Sequence, residues 1–471
     1  MLQDELIFQI QSCFGHFPTE EQSQAIRLFA SFMVDRDDHS LMILRGSAGT
    51  GKTTLAAAIV KALLQLKQKI VLLAPTGRAA KVFSLYSGHP AHTIHRRIYR
   101  QKSAGDMSSF NLNDNLHTDT LFIIDEASMI STFSSGEGSH FGTGSLLDDL
   151  VQYVYSGRNC RMLLIGDTAQ LPPVGEDEAP ALQGEILRSY GMYVYETDLH
   201  EVLRQSHESG ILLNATMVRQ MITHDEMTQL PCLQLKGFAD IQVVPGDELI
   251  ESLATSYSRV GMDETIVVTR SNKRANIYNQ GIRRTVLDRE EELSRGDQLM
   301  VVKNNYRTLP DGPSFLANGD RCVVRRMRNE EELYGFRFVD ATLVFPDYDD
   351  YELTAKVILD TLTSEAPALT REQQELLYNK VMEDYADVPL KTDRLKALKT
   401  DVYFNALQIK YGYAVTCHKA QGGQWEHVYI DQGYMTDDML TTDYIHWLYT
   451  ALTRATKKVF LVNWPETQIE Q

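Results

Sequence analysis

The stretch Gly46-Ser-Ala-Gly-Thr-Gly-Lys-Thr-Thr54 decides the fold class of this 471-residue chain. It lies between a short apolar run, residues 41–44, and residues 53–66, whose apolar side chains recur at helical spacing. A strand, a glycine-rich loop and a helix in this order predict a phosphate-binding loop. Glycines let backbone N–H groups face phosphate oxygens, and the helix N-terminus adds positive dipole field. We therefore expect this loop to bind a nucleoside triphosphate.

The loop residues have predicted roles at ATP. Lys52 is expected to contact the outer phosphates, and the Thr53 hydroxyl to ligate Mg²⁺. The predicted nucleotide-binding residues of the loop are Gly46, Ser47, Ala48, Gly49, Thr50, Gly51, Lys52, Thr53 and Thr54. The alternative, a chance glycine-rich turn, is disfavoured by the flanking strand and helix.

A pair of acidic residues supplies the second half of such a site. The apolar run Leu121-Phe-Ile-Ile124 ends at Asp125 and Glu126. Asp125 is expected to hold Mg²⁺ through water, and Glu126 to polarise the attacking water. Two acids after an apolar run also fit a simple strand end, but together with the phosphate loop they predict an NTPase. Kinases and transporters share both motifs, so they do not identify the reaction driven.

Short runs rich in Ile, Leu and Val recur along the chain, as in buried parallel strands. Further runs cover residues 70–74, 162–165, 265–269, 427–431 and 458–462. Their alternation with helical segments predicts an α/β fold, and the length predicts more than one domain. Between residues 306 and 401 the pattern changes to strands with one exposed side, followed by an acidic helical segment at 368–399.

The charge is distributed unevenly. A formal net charge of −17 argues against nucleic-acid binding, because phosphate contacts need Lys and Arg. Residues 76–105 and 265–287, however, contain several Lys and Arg and no Asp or Glu. Each stretch is either a solvated surface or part of a nucleic-acid contact.

The cysteines and the N-terminus predict the compartment. The five cysteines are scattered and never form Cys-x-x-Cys, which favours a reducing compartment and argues against structural zinc. No apolar run is long enough to cross a bilayer, and the first residues lack the pattern of a signal peptide. We therefore expect a cytoplasmic protein without membrane contact.

Further motifs follow in order along the chain. They are Thr19-Glu-Glu-Gln22, Ala74-Pro-Thr-Gly-Arg-Ala-Ala-Lys81, Thr93-Ile-His95, Asp125-Glu-Ala-Ser128, Gly166-Asp-Thr-Ala-Gln170-Leu-Pro-Pro-Val174, Leu203-Arg204-Gln205, Tyr413-Ala-Val-Thr-Cys-His-Lys-Ala-Gln-Gly422 and Tyr449-Thr-Ala-Leu-Thr-Arg454. With the phosphate loop, they resemble the motifs of the B subgroup of superfamily 1 helicases, which includes RecD-like, Pif-type and Dda-like enzymes. The resemblance covers nearly the whole chain.

This resemblance implies two RecA-like P-loop domains with parallel sheets, a small hairpin insertion and an SH3-like β insertion. The first RecA-like domain is expected at 1–190, with the hairpin at about 86–118. The second is expected at 191–305 and 402–471, interrupted by the accessory domain at 306–401. Phe110 in the hairpin is either a wedge that splits the duplex or a core aromatic. Segment 368–399 fits a protein-docking surface as well as plain scaffold.

The resemblance also assigns residues outside the loop to ATP. Gln170 is expected near the γ-phosphate, and Arg204 and Arg454 are expected to stabilise charge on the transferred phosphoryl group. The alternative for Arg454 is a surface salt bridge. Gln22 is expected to contact the adenine edge. Gly422 and Gln424 stand where the family contacts the nucleotide sugar, although the family usually has glutamate at the second position.

A track for single-stranded DNA is expected over both domains, held through phosphates rather than base edges. The DNA-contact candidates are Pro75, Thr76, His92, His95, Pro172, Pro173, Thr416, His418 and Lys419. A buried histidine with an internal partner is the alternative for each histidine.

These implications together predict an ATP-dependent DNA helicase, active as a monomer on single strands and single-strand/duplex junctions, with 5′ to 3′ direction taken from the resemblance alone. Three alternatives stay open. One is a translocase on DNA or RNA that does not unwind. Another is a binding module that uses ATP as a switch, and the third is a recombination subunit with nuclease partners. A protein partner at the acidic insertion is also compatible with the sequence.

Overall fold

The computed structural model describes residues 2–101, 110–133, 142–202, 208–224, 229–305 and 316–470. These residues form two parallel sheets, a closed barrel and a two-stranded hairpin. The predicted α/β class, with two P-loop-type domains, a hairpin and a small β insertion, is therefore confirmed. Across these ranges, each helix is too short or too polar to span a membrane.

The first domain is built on a parallel sheet of order β3-β2-β6-β7-β1-β8. The strands up to this point in the chain are β1 (Ser40–Gly46), β2 (Lys69–Ala74), β3 (Ala91–Thr93), β4 (Tyr99–Gln101), β5 (Phe110–Leu112), β6 (Thr120–Ile124), β7 (Arg161–Gly166) and β8 (Tyr193–Leu199). The helices are α1 (Leu2–Cys13), α2 (Glu20–Val34), α3 (Lys52–Gln65), α4 (Gly77–Ser87), α5 (Ile94–Ile98), α6 (Leu146–Ser156) and α7 (Gly184–Ser189). Alternate residues of β1 enter cores on opposite faces of the sheet, so both faces are covered.

Two predicted boundaries in this domain are wrong. The sheet continues to Leu199, beyond the predicted end at 190, because β8 pairs with β1 as an edge strand. Its side chains are mostly half-buried and polar, so the apolar signal was weak. The hairpin is formed by β4 and β5, whereas β3 pairs with β2 in the main sheet. Residues 102–109 of the hairpin, and what the Phe110 side chain does, lie outside the described residues.

The second domain begins after β8. Its first elements are α8 (Gly210–His224), β9 (Ile241–Val244), α9 (Leu249–Val260), β10 (Thr265–Thr269) and α10 (Asn272–Gly281). The chain then leaves this domain to form the barrel of β11 (Gln298–Val301), β12 (Arg321–Leu333), β13 (Phe336–Phe345), β14 (Tyr351–Ile358) and β15 (Leu407–Tyr411), with α11 (Arg371–Asp384) and α12 (Lys391–Thr400) before its last strand.

The barrel is larger than the predicted 306–401 insertion. Its first and last strands, β11 and β15, lie within the segments that the sequence predicts for the second RecA-like domain. Both are fully buried, so their apolar residues could not be distinguished from a parallel strand. The helical segment packs on the barrel, where Leu377 and Val381 join a cluster with Phe336 and Phe338. This packing favours a scaffold role for α11.

After the barrel, the chain returns to the second domain. The remaining elements are β16 (Ala414–Thr416), α13 (Cys417–Ala420), β17 (Trp425–Asp431), α14 (Thr442–Leu452) and β18 (Ala455–Val462). The second sheet has the order β16-β10-β17-β18-β9, and its described pairs are parallel. The loops after β1, β6 and β7 of the first domain face this second domain, and they carry the predicted ATP site.

Candidate nucleotide site and inter-domain cleft

The phosphate loop joins β1 to α3 and requires its glycines. Gly49 and Gly51 have φ angles of 80° and 81°, in the left-handed region that side chains with a Cβ rarely adopt. A Cβ on Gly46 would lie 2.8 Å from Thr50 Oγ1 and 3.0 Å from Leu199 Cβ. The loop is therefore held in a compact turn at the N-terminus of α3, the arrangement that suits phosphate binding.

Lys52 lies folded over this loop. Its ammonium group donates to the Ser47 carbonyl at 3.0 Å and lies 3.9 Å from Asp167 Oδ2. The side chain is largely buried, with 17% of it exposed. Thr53 is exposed at the start of α3, and Thr54 is half-buried. Lys52 therefore occupies the position from which an ammonium group can reach phosphates bound in the loop.

The acidic pair follows β6, two strands from the loop in the sheet. Burial raises the pKa of Asp125, while a hydrogen bond from the Tyr86 hydroxyl and the charge of Lys52 oppose this rise. Burial also raises the pKa of Glu126, whereas the charges of Arg454 and Lys52 lower it. Glu126 has a φ of 52°, so its backbone is held in the left-handed region. Both carboxyl groups therefore lie in the field of Lys52, and Glu126 also lies in the field of a second-domain arginine.

The first domain forms one side of the inter-domain cleft, the first-domain wall. Segment 167–173, which follows β7, completes this wall. Gln170 is 7% exposed, and among the described residues its Oε1 atom has no hydrogen-bond partner. The Ser128 hydroxyl is fully buried and likewise unpartnered within those ranges. Buried polar atoms are normally satisfied. A nucleotide, its metal ion or an attacking water would supply partners, so the residues present fit such a ligand.

The second domain reaches this wall through α14. The Tyr449 hydroxyl accepts a hydrogen bond from the Ala48 N–H at 2.8 Å and donates to Asp167 Oδ2 at 2.6 Å. The next residue, Thr450, accepts from the Leu171 N–H through its hydroxyl at 2.8 Å. These bonds join the phosphate loop and segment 167–173 to the same helix.

Two further contacts and a shared core hold segment 167–173 against the second domain. Gln421 donates to the Leu171 carbonyl at 2.6 Å, and His446 Nδ1 lies 2.9 Å from the Ala169 carbonyl oxygen. Ala169 and Leu171 also belong to the hydrophobic core of the second domain. The segment therefore belongs to the first domain in sequence, but its side chains pack in the core of the second domain.

Arg454 lies two residues after the end of α14 and is 3% exposed. Its guanidinium donates to the Thr450 and Gly423 carbonyls at 3.1 and 3.2 Å and to the Thr453 hydroxyl at 3.2 Å. These acceptors are uncharged, and the arginine is not at the surface. The alternative of a surface salt bridge is therefore wrong. Arg204 lies outside the described residues.

Comparison with known proteins matches two family models to these two domains. Residues 18–230 match the family described as an AAA domain, and residues 411–462 match the UvrD-like helicase C-terminal domain. The first match contains the phosphate loop, the acidic pair and Gln170. The second contains Gln421 and Arg454.

Three relatives extend these matches. The RecD2 DNA helicase of Deinococcus radiodurans is 31% identical over 33% of the chain and 18% of its own length. The Dda helicase of bacteriophage T4 is 24% identical over 62% of each chain. An uncharacterized protein of Acanthamoeba polyphaga mimivirus is 22% identical over 94% of the chain and 99% of its own length. The chain thus spans less than two thirds of both named helicases.

Through these matches, the chain is similar to the superfamily 1B helicases.

Gln22, the expected adenine contact, has internal hydrogen-bond partners in this structure. Gln22 is fully buried, and its Oε1 accepts from the Thr19 N–H at 3.0 Å in a capping box at the start of α2. Its Nε2 donates to the Thr50 carbonyl at 3.0 Å. The amide therefore braces the phosphate loop, and contact with adenine stays a prediction.

The two residues expected to contact the nucleotide sugar, Gly422 and Gln424, lie elsewhere in the inter-domain cleft. A Cβ on Gly422 would lie 2.9 Å from Ala79 Cβ and 3.1 Å from Thr76 Oγ1. The Gln424 carbonyl accepts from Arg78 at 3.0 Å. These contacts are with the start of α4, which follows β2, and β6 and β7 separate β2 from β1 in the sheet. The nucleotide role of both residues stays a prediction that this geometry does not support.

The candidate DNA contacts of the first domain are only partly accessible. Pro75 and Thr76 are half-buried just before α4, and His92 in β3 and His95 in α5 are also half-buried. Burial lowers the pKa of His95 to about 4, so this histidine is neutral at pH 7. Pro172 and Pro173 are buried, whereas the following Val174 is 62% exposed.

In the second domain, the candidate DNA contacts cluster at α13. Thr416 precedes this helix and is half-buried, and His418 is exposed. Lys419 donates to Asn318 Oδ1 of the barrel at 3.4 Å. Burial and the nearby Lys410 lower the pKa of Lys419 to about 8. The DNA role of all nine candidates stays a prediction.

Four residues of the inter-domain cleft were not predicted from the sequence. Asp167 and Tyr449 stand within the quoted motifs, so the motif resemblance was the available signal. Tyr86, on α4, donates to Asp125, and Arg219, on α8, donates to the Ser47 hydroxyl. Neither has a local sequence signal, because each meets its partner only through the tertiary fold.

Proposed function

We propose that this protein is an ATP-dependent DNA helicase that moves 5′ to 3′ along one strand and separates a duplex. The observation that carries the proposal is segment 167–173. This segment begins beside the phosphate loop at Asp167 and is hydrogen-bonded to α14 of the second domain. Movement between the domains is thereby connected to the state of the loop.

ATP and Mg²⁺ suit the residues present. Lys52 would contact the outer phosphates, Thr53 and Asp125 would hold Mg²⁺, and Glu126 would orient the attacking water. Mg²⁺ supplies charge that offsets the developing negative charge on the phosphoryl oxygens. Arg454 would add a positive charge from the second domain, where it already lowers the pKa of Glu126.

DNA as the substrate and the 5′ to 3′ direction are inferred from the family. RecD2 of Deinococcus radiodurans and Dda of bacteriophage T4 are named ATP-dependent DNA helicases. The exposed His418 and the half-buried Lys419 and Thr76 offer contacts for a phosphate backbone between the two domains.

The test measures ATP-driven strand separation on duplexes with a 5′ tail, a 3′ tail or no tail. We expect unwinding from the 5′ tail and none when ATP is replaced by a non-hydrolysable analogue. Unwinding only from the 3′ tail would contradict the direction. Hydrolysis stimulated by single strands without unwinding from either tail would favour the translocase alternative, and stimulation by RNA alone would contradict DNA as the substrate.

A further inference from the structure

The Tyr449 hydroxyl makes a bridge between two loops of the first domain. It accepts from the Ala48 N–H at 2.8 Å, on the loop after β1, and donates to Asp167 Oδ2 at 2.6 Å, after β7. The side chain is 1% exposed and extends from α14 of the second domain. One second-domain atom therefore holds the phosphate loop and segment 167–173 together.

The direction of these bonds suits a fixed bridge. A hydroxyl has one proton to donate, and its lone pairs remain free to accept the amide N–H. Burial, and then the charge of Asp167, raise the pKa of Tyr449 well above its usual value, so the phenol stays protonated. Asp167 Oδ1 in turn accepts from the Ala169 N–H at 3.0 Å. Both carboxylate oxygens are therefore oriented by hydrogen bonds.

The orientation of Asp167 affects the catalytic lysine. Lys52 Nζ lies 3.9 Å from Asp167 Oδ2, the same oxygen that accepts from Tyr449. A carboxylate already engaged by a hydroxyl competes less strongly for the lysine. The bridge thus leaves Lys52 available for phosphates when the second domain is in place.

We propose that Tyr449 is a positioning residue whose hydroxyl makes ATP turnover depend on the closed cleft. The turnover part of this inference rests on the proposed function, whereas the bridge itself does not. Thr450, Gln421 and His446 hold segment 167–173 independently of this hydroxyl. Tyr449→Phe therefore removes the bridge while the other contacts of the segment stay in place.

Tyr444→Phe is the matched control. Tyr444 lies on the same helix, is 2% exposed, and donates its hydroxyl to Gln432 Oε1 at 2.6 Å within the second domain. Both variants lose one buried hydroxyl from α14, but only Tyr449→Phe loses contact with the first domain. A purely structural role predicts equal effects of the two substitutions.

The bridge is tested first without ATP, by hydrogen exchange of the peptide that contains Ala48. Removing its acceptor should speed exchange about tenfold in Tyr449→Phe, and leave the rate in Tyr444→Phe as in the unaltered protein. Equal exchange in all three proteins would overturn the inference, whether or not the protein hydrolyses ATP.

Steady-state ATP hydrolysis with and without single-stranded DNA then tests the consequence. We expect kcat with DNA to fall about tenfold in Tyr449→Phe, with a smaller change in KM, and to stay within about twofold in Tyr444→Phe. Similar losses in both variants would overturn the positioning role. No hydrolysis by the unaltered protein would refute the proposed function, and with it the turnover claim, while the exchange result would still decide the bridge.

Discussion

The two walls of the cleft are built differently. On the first-domain wall, Lys52, Asp125 and Glu126 lie within reach of one another's charges on the loops of one sheet. On the second-domain wall, Tyr449 and Arg454 are held by uncharged oxygens, amides or a single carboxylate. Under the proposed function, the first-domain wall therefore carries the charges for phosphate chemistry, and the second-domain wall controls when they act.

The largest expected effect is on the first wall. Lys52→Ala should reduce ATP hydrolysis to background, because the outer phosphates lose their ammonium partner. Single-strand binding should be largely kept, since the DNA candidates lie on other loops. Phosphate release and fluorescence anisotropy measure the two quantities. Lys61→Ala, at an exposed position of α3, is the control, and persisting hydrolysis in Lys52→Ala would contradict the role of the first wall.

The next largest effect is expected from a substitution on the second-domain wall, as a loss in kcat alone. Arg454→Ala should lower kcat by about 10³-fold with little change in ATP affinity, since the positive charge matters most in the transition state. Lys457→Ala removes a 62% exposed cation three residues away and should stay within about twofold. If the two variants had equal kcat, the second wall would supply no charge to the reaction.

Arg219 tests whether the second-domain wall also contributes to ATP binding. It is a second-domain cation that contacts the phosphate loop in this structure. Arg219→Ala should raise the KM for ATP by about tenfold and alter kcat less, as expected for loss of a charged hydrogen bond to the loop. The neighbouring, exposed Gln220 provides the control variant Gln220→Ala. A fall in kcat without a change in KM would place Arg219 with Arg454 in the reaction itself.

The smallest expected effect is on the pH dependence of single-stranded DNA binding. Burial and Lys410 lower the pKa of Lys419 to about 8, so its charge is present below pH 8 and lost as the pH rises through this value. Single-strand affinity should therefore fall a few-fold between pH 7 and pH 9. Lys419→Arg should show a flatter profile, because a guanidinium stays charged. Identical profiles at constant salt would remove Lys419 from the DNA track.

The residues of the first-domain wall can be predicted from the sequence more readily than those of the second-domain wall. A phosphate loop is one contiguous segment whose glycines, lysine and threonine have fixed spacing, so its place in the fold followed from its flanking strand and helix. The contacts of Tyr449 with Ala48 and of Arg219 with Ser47 join residues far apart in the chain. No local periodicity encodes them, because they depend on how two domains pack.

The strands of the barrel also could be predicted only in part from the sequence. Its middle strands mix buried with half-buried or exposed side chains, and the sequence predicts them as a separate unit. Its outer strands β11 and β15 are buried throughout, and so is β10 of the second sheet. Hydrophobicity alone does not say which sheet a buried strand joins, since hydrogen-bond pairing decides it.

Segment 167–173 has a consequence for dissecting the molecule. Ala169 and Leu171 are covalently part of the first domain but are buried in the core of the second. A fragment ending after β8 would carry these two side chains into water, and the complementary fragment would keep a cavity where they belong. Each fragment would therefore be only marginally stable and poorly soluble when produced alone. Co-expression of the two fragments should restore the solubility of both.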